Sequence, residues 1–270
     1  MTGIQDIPLT SANLDDIVCC PGGAEISDKE LKGDLQKTLH WREKMIEEGL
    51  MGFLSYKGDE PKGFIEFMPA ESAPFPIECP EGVVVMCYHW VVGEDDQDHL
   101  EQEKRLIELV EDYIEGKYSG MAFLAWDNPV HFPIDMMKEL GFETIESYDH
   151  IEMMWLPVEE DAEKPTLVDN DFSPGDLSEE GKLAIEQAYS HRCPYSIHHK
   201  VRVKEVLDEI GPDDRIIYNK YVIDTHEDAL KYSVEPWNWE WLYINGEEVP
   251  LFNTTSEDLK QMILDKLDGL

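Results

Sequence analysis

The sequence predicts a two-domain α+β protein. Apolar runs of strand length alternate with amphipathic stretches, an acidic segment bearing Pro and Gly divides the chain, and an Asn-Gly pair near the C-terminus sits between two apolar runs. At 270 residues, 42 % of them hydrophobic, the chain can fill two ordinary cores. The expected organisation is a mixed-sheet domain over residues 1–160, an acidic linker over 161–181 and a small α/β domain over 182–270.

The periodicity of Leu31, Leu35, Leu39, Met45 and Ile46 predicts a helix within Ser27–Gly49. Gly52–Tyr56 and Gly63–Met68 then read as a hairpin around Lys57–Pro61, and Ala70–Glu81 as a Pro-rich loop. Met86–Val92 is a β-branched and aromatic run ended by Gly93. Leu106, Ile107, Val110, Tyr113 and Ile114 share one face of a following helix. Met121–Asn128 reads as a buried strand, Phe132–Leu140 as a helix stopped by Gly141, and Tyr148–Leu156 as a last strand. Beyond the linker, Lys182–Tyr189 suits a strand, and its Leu, Ala and Glu content suits a helix equally. A helix over Ser196–Ile210, a strand over Arg215–Ile223 and a short helix over Thr225–Tyr232 follow. Trp239–Ile244 and Glu248–Phe252 form the hairpin around Asn245-Gly246, and Ser256 is placed to cap a terminal helix to Leu267. With a strand first, the order βαβαββα is that of a thioredoxin-like domain.

Charge narrows the partners. The formal net charge is −37, from 59 acids against 22 bases spread along the whole chain. Nucleic acid and anionic membrane surfaces need basic patches, so neither is expected. The acidity suits a salty cytoplasm, or a cationic partner or substrate. No basic region followed by an apolar run opens the chain, and no apolar run approaches the ~20 residues that span a bilayer. Five cysteines at 19, 20, 79, 87 and 193 are no disulfide framework. Together these predict a cytoplasmic protein; they fix no oligomeric state.

The run from Met86 to Phe142, with Trp90-Val91-Val92-Gly93, Asn128 and Leu140-Gly141-Phe142, resembles the core of the GNAT N-acetyltransferase superfamily. Cys193-Pro194-Tyr195-Ser196 is similar to a glutaredoxin CPYC motif whose second Cys is Ser196. With Tyr243-Ile244-Asn245-Gly246, these features resemble the YoaP-like family over nearly the whole chain: an acetyltransferase-like domain joined to a C-terminal domain with a CPY motif.

The resemblance implies a GNAT-like mixed sheet, two splayed parallel strands that admit the pantetheine arm of acetyl-CoA, and transfer of the acetyl group to a small amine by direct attack. It implies that Val91, Val92 and Gly93 contact the cofactor and that Asn128 faces it. The family's phosphate loop is Gly-rich. Here Glu94–Glu103 holds six acids and no Gly. One carboxylate 4 Å from a phosphate charge costs about 1 kcal/mol in water. That matches the whole contribution of a helix dipole, roughly 0.3–1 kcal/mol.

The chemistry needs a base for the amine proton. Glu66 on the third strand and His89 on the fourth are the candidates, and strand alternation puts His89 on the face of Val91. Cys87, two residues before His89, would share that face, either as a core residue or as a nucleophile with His89 as its base. The rival chemistry is thiol-based. Cys193 opens a helix, where a thiolate is favoured, and could exchange mixed disulfides or take a soft metal or metalloid. Vicinal Cys19 and Cys20 are weaker thiol candidates, two ligands at most, so no metal centre is assigned. Trp237, Trp239 and Trp241 alternate as on one strand face, a core or seam feature or a cation-binding stack.

Overall fold

The computed structural model describes residues 3–17, 28–93, 96–126, 133–148, 151–235 and 239–270. Two compact units emerge, and they do not follow chain order throughout. The first comprises residues 1–25, 42–73 and 77–168, and the second residues 26–41, 74–76 and 169–270.

The first unit carries, in chain order, β1 (Ile4–Pro8), the last turn and a half of α1 (Asp28–Glu47), β2 (Met51–Lys57), β3 (Glu60–Pro69), β4 (Ile77–Glu78), β5 (Val83–Val91), α2 (Asp96–Ile114), β6 (Gly120–Trp126), α3 (Ile134–Glu139), β7 (Glu143–Tyr148), β8 (Ile151–Pro157) and β9 (Thr166–Leu167). Seven strands form one sheet in the order β1-β2-β3-β5-β6-β8-β7. Every neighbouring pair is antiparallel except β5 and β6, which run parallel. β4 and β9 make a separate two-stranded ribbon.

Two strands of this sheet were not expected. β1, Ile-Gln-Asp-Ile-Pro, and β7, Glu-Thr-Ile-Glu-Ser-Tyr, are its two edges. Edge strands keep a wet side, so neither shows a continuous apolar run. The strand expected over Tyr148–Leu156 is β8 from Ile151 on, and Tyr148 is instead the last residue of β7, opposite Ile151. The helix expected over Phe132–Leu140 is shorter, Ile134–Glu139, and Phe132 lies outside the described residues.

The core on one face of the sheet joins Phe53, Ile65, Phe67, Met86, Val91 and Phe123 to Leu106, Ile107, Val110 and Ile114 of α2. Each such burial contributes roughly 1.5–3 kcal/mol, which holds α2 on the sheet. Met86 and Val91 reach the same core although five residues apart, an odd spacing that simple alternation forbids. A β-bulge explains it. Glu66 pairs with Tyr88 and the next rung joins Phe67 to Met86, leaving Cys87 as the extra residue.

The second unit holds residues 28–41 of α1, then β10 (Leu183–Tyr189), α4 (Pro194–Ile210), β11 (Ile216–Val222), α5 (His226–Tyr232), β12 (Trp241–Ile244), β13 (Glu247–Glu248) and α6 (Ser256–Asp268). Lys182–Tyr189 is therefore strand rather than helix, and the order βαβαββα is present. The sheet order is β11-β10-β12-β13, with β10 and β11 parallel and the other pairs antiparallel. Asn245 and Gly246 take φ of 46° and 74°, the two left-handed residues that a type I′ hairpin turn requires. The α6 cap is Thr255, one residue before the expected Ser256, in a capping box with Asp258.

The segment read as a linker is shared out. Thr166–Leu167 pairs with β4, while Asn170 donates to the Ser233 carbonyl and Phe172 packs on Tyr221, Tyr232 and Trp241 of the second unit. The tryptophan stripe does not form a strand face: Trp241 opens β12, Trp239 lies in the bend before it, and Trp237 is outside the described residues.

Candidate functional site

β5 and β6 are the only parallel neighbours in the larger sheet, and they pair over three rungs alone, Val83–Gly120, Val84–Met121 and Val85–Ala122. β5 continues six residues further and β6 four. Each remains laddered to its outer neighbour, β3 or β8. The two strands therefore part beyond Val85 and Ala122, and their facing edges carry backbone groups that no strand among the described residues pairs.

The sequence candidates lie around this parting in different ways. The Val92 N–H donates to the Lys62 carbonyl at 2.7 Å, and its carbonyl accepts from Gln102 Nε2 at 3.2 Å. The Val92 backbone is thus bonded to β3 and α2. Alternation along the ladder turns the backbone groups of its neighbour Val91 to the open edge instead. Gly93 is also used internally: a Cβ there would lie 2.6 Å from the His99 nitrogen and 2.7 Å from its Cα. Only glycine lets the first turn of α2 approach so closely. Asn128 lies outside the described residues, as do Cys19, Cys20, Glu94 and Asp95.

Most of the acidic segment is helix, not loop. α2 begins at Asp96, since acids suit the first turn of a helix and Glu and Gln are good helix formers. Among the described acids of the segment, Asp98, Glu101 and Glu103 have side-chain partners. Gln97 bonds Glu101 at 2.9 Å and Gln102 bonds Asp98 at 2.8 Å. Glu103 is buried and holds two histidines: His89 Nε2 in a close contact and His99 Nε2 at 3.3 Å, both on Oε1. Burial works to raise the Glu103 carboxyl. The hydrogen bond and charge of His89, and those of His99, outweigh it and hold the carboxyl below its ordinary value of 4.5. A pocket of about 100 Å³ beside Val92 and Gly93 is lined by Lys57, Lys62, Asp98 and Gln102, too small for a nucleotide-bearing cofactor but flanked by two amines.

His89 sits opposite Ile65 on the core face of β5, nearly buried. A carboxylate on Nε2 keeps the ring proton there, leaving Nδ1 as the basic nitrogen of the neutral ring. That is the arrangement a general base needs. Glu66 is engaged elsewhere. It is fully buried on the other face and bound through both oxygens by Arg42, whose Nε and Nη2 lie 2.5 and 2.9 Å away. The guanidinium also lies 6.0 Å from the Tyr88 ring. Cys87 is the bulge residue, and its Sγ contacts the Val85 carbonyl at 3.5 Å.

The second unit reverses the expectation for Cys193. It does cap α4, with Pro194 in the first helical position. But burial pushes its thiol up to about 12, Glu240 pushes the same way, and the N–H groups of Ser196 and Tyr195 with the Arg192 charge do not compensate. Its surroundings disfavour an activated thiolate. Ser196, where a dithiol would need its second Cys, is buried and accepts the Ser190 N–H at 2.9 Å. His191 and His199 go to different carboxylates, Asp224 at 2.7 Å and Glu240 at 3.1 Å. Among the described residues no group of three His, Cys, Asp or Glu is arranged to hold a metal ion, and no helix is long and apolar enough to cross a membrane.

Sequence reasoning missed Arg42, Glu103 and His99. The His99–Glu103 spacing of four was a legible helix-face pair, hidden by reading the acids as a loop. Arg42 stands 24 residues before Glu66, and no local signal joins them.

No family model matches the chain. It is 22 % identical over 249 residues to the uncharacterized N-acetyltransferase YoaP of Bacillus subtilis, covering 90 % of this chain and 92 % of that one. Among solved structures it is similar to the PaiA N-acetyltransferase of Thermoplasma acidophilum in complex with coenzyme A, at 11 % identity and TM-score 0.42, over 57 % of this chain and 98 % of that one. A GNAT-family acetyltransferase of Brucella melitensis in complex with acetyl-CoA gives 11 %, 0.42, 63 % and 98 %. The ribosomal-protein-S18-alanine N-acetyltransferase of Escherichia coli gives 13 %, 0.38, 59 % and 97 %.

Proposed function

We propose that the chain is an acyl-CoA-dependent N-acetyltransferase of the GNAT type, acting on a small cationic amine through its first unit. The observation that carries this reading is the parting of β5 and β6 after three rungs. It is the feature the GNAT resemblance calls for, and it offers a slot with free backbone groups in a sheet that is otherwise laddered. Acetyl-CoA would supply the activated acyl thioester. Val91 on β5, and the inner edge of β6, are the groups of this chain that fit a pantetheine arm. The engaged acids of α2 weaken the electrostatic objection to a diphosphate nearby, since Glu103 already faces two histidines. The similarity to YoaP over nine-tenths of both chains supports the same reading.

His89 is the base in this proposal, its proton on Nε2 fixed by Glu103. Surplus negative charge would draw a cationic amine towards the unit. The second unit is read as thioredoxin-like from its element order and its sheet order. Its buried thiol makes it an accessory module rather than the reacting one.

A panel of polyamines and monoamines, with release of free thiol from acetyl-CoA as readout, tests the reading. His89→Gln is expected to lower kcat by 10²–10⁴, the usual contribution of a general base, while acetyl-CoA binding persists. Full activity in His89→Gln would remove His89 from the chemistry.

A further inference from the structure

We propose that the outer edge of β11, with the lysines set over its α4 face, is a docking edge for an extended acidic peptide segment. The inference lies wholly in the second unit and does not rest on the acyl-transfer reading.

The edge is open. β11 ends the four-stranded sheet and is laddered on one side only, to β10. The Leu183 N–H donates to the Arg215 carbonyl and the Ile223 N–H to the Tyr189 carbonyl. The odd-numbered residues of β11 therefore bond to β10, and the N–H and C=O groups of Tyr218, Lys220 and Val222 point away from the sheet. Among the described residues they meet no further strand. Asn219 and Lys220, midway along the strand, are exposed.

The lysines set what fits there. The register puts Lys220 beside Gln187 and Val222 beside Tyr189, all on one face of the sheet. The Lys220 amine lies 5.4 Å from the centre of the Tyr218 ring, and the Lys200 amine of α4 lies 5.3 Å from that of Tyr189. Lys204 follows Lys200 by one helical turn. Lys37 joins the cluster from α1. Burial, then the like charges of Lys37, Lys220 and Lys204, hold the Lys200 amine below its ordinary 10.5; Asp34 works the other way. Asp34 already pairs with Lys37 at 3.3 Å, and Asp208 with Lys204. Such a gathering of lysines stands out in a chain with 22 bases against 59 acids.

A lysine on an edge strand also guards against edge-to-edge pairing. Lys220 alone would serve that end. The lysines of α4 and α1 add charge over the face, where the side chains of an arriving strand would lie. A second copy of β11 would bring its own Lys220 to this cluster and be repelled. A strand with carboxylates at alternate positions satisfies both features. Its backbone pairs with the open N–H and C=O groups, and its acids meet Lys220 and Lys200. On the opposite face its other side chains would lie beside Ile217 and Tyr221, both partly buried, so apolar residues suit those positions.

The test titrates a fluorescein-labelled peptide, Val-Glu-Val-Glu-Val-Glu-Val, against the reduced full chain, read by fluorescence anisotropy. Saturable binding is expected at low salt, about tenfold weaker in molar salt. Lys220→Glu and Lys200→Glu should each weaken it about tenfold or more. Neither lysine is buried, so both variants should fold. Two N-methylated peptides separate strand addition from charge attraction. Methylating the Glu amides and methylating the Val amides remove donors from opposite edges of the peptide. One of the two should bind like the parent and the other should not bind. Amide hydrogen exchange at Lys220 and Val222 should slow in the complex. Absence of binding at low salt leaves the lysines as edge guards and overturns the proposal. Equal binding of a lysine–valine peptide, or of both N-methylated peptides, overturns it as well.

Discussion

The chain makes two strand-to-helix junctions of opposite material. Where β5 meets α2, the helix opens on acids, and a buried carboxylate is held ionised by two histidines. Where β10 meets α4, the helix opens on Cys193-Pro194, and a buried thiol is held neutral. Read as motifs, the second is a reactive thiol and the first a ruined phosphate loop. The difference teaches that a helix N-terminus sets no protonation state by itself. The dipole contributes at most about 2 kcal/mol in partly buried geometry, and the groups packed against the side chain decide the rest. Glu103 has two partners that favour its charge. Cys193 has burial and Glu240 against its own.

The comparison breaks most sharply at the thiol. Moving a thiol from its ordinary 9.0 to about 12 cuts its thiolate fraction at pH 8 about a thousandfold. Iodoacetamide labelling, resolved by peptide mass spectrometry, should leave Cys193 unmodified in the native protein and modify it fully in denaturant. Rapid native labelling would restore the thiol chemistry.

Next in size is the Arg42–Glu66 pair behind the same sheet. Arg42→Ala leaves a buried carboxylate without its counter-charge and should destabilise the protein by about 3–5 kcal/mol in urea unfolding. A change under 1 kcal/mol would mean that Glu66 is free to serve as the base after all.

The α2 junction itself can be sprung with one methyl group. Gly93→Ala drives a Cβ into the His99 backbone, and overpacking of this kind costs about 1–3 kcal/mol. The shift should also disturb the His99–Glu103 contact, visible in the histidine spectrum. An unchanged protein would show that α2 stands further from β5.

The smallest effect carries a pH signature. The folded-state pKa of Glu103 is lowered, so its contribution is present above the unfolded carboxylate value and is lost as pH falls through the folded one. Glu103→Gln should cost about 1–3 kcal/mol near neutrality. That gap should begin to close as the pH falls below the ordinary value of 4.5 and be gone only below the lowered folded-state value. A gap independent of pH would mean that packing, not charge, is what Glu103 supplies.

Much of this fold was legible. The strands inside the larger sheet, β2, β3, β5, β6 and β8, are largely apolar runs, and the Asn-Gly hairpin announced itself. The edges β1 and β7 were not, because half of each faces water. The site was legible only in part. His89 stood out on its strand, but the bulge at Cys87 changes which neighbours share its face, and a bulge leaves no mark in the sequence. The partners of Glu66 and His89 come from helices packed over the sheet, and such pairings are fixed by tertiary packing rather than by spacing. The acids of α2 misled for a plain reason: counted as bare charges they repel phosphate, while in the fold several are already bonded.

The most direct measurement is calorimetric titration of acetyl-CoA into the reduced full chain, at low salt and at molar salt. The account predicts saturable one-to-one binding, tighter at molar salt, where the acids around the slot are screened. Absence of binding under both conditions would contradict it, and the parted strands β5 and β6 would then be a slot for some other ligand.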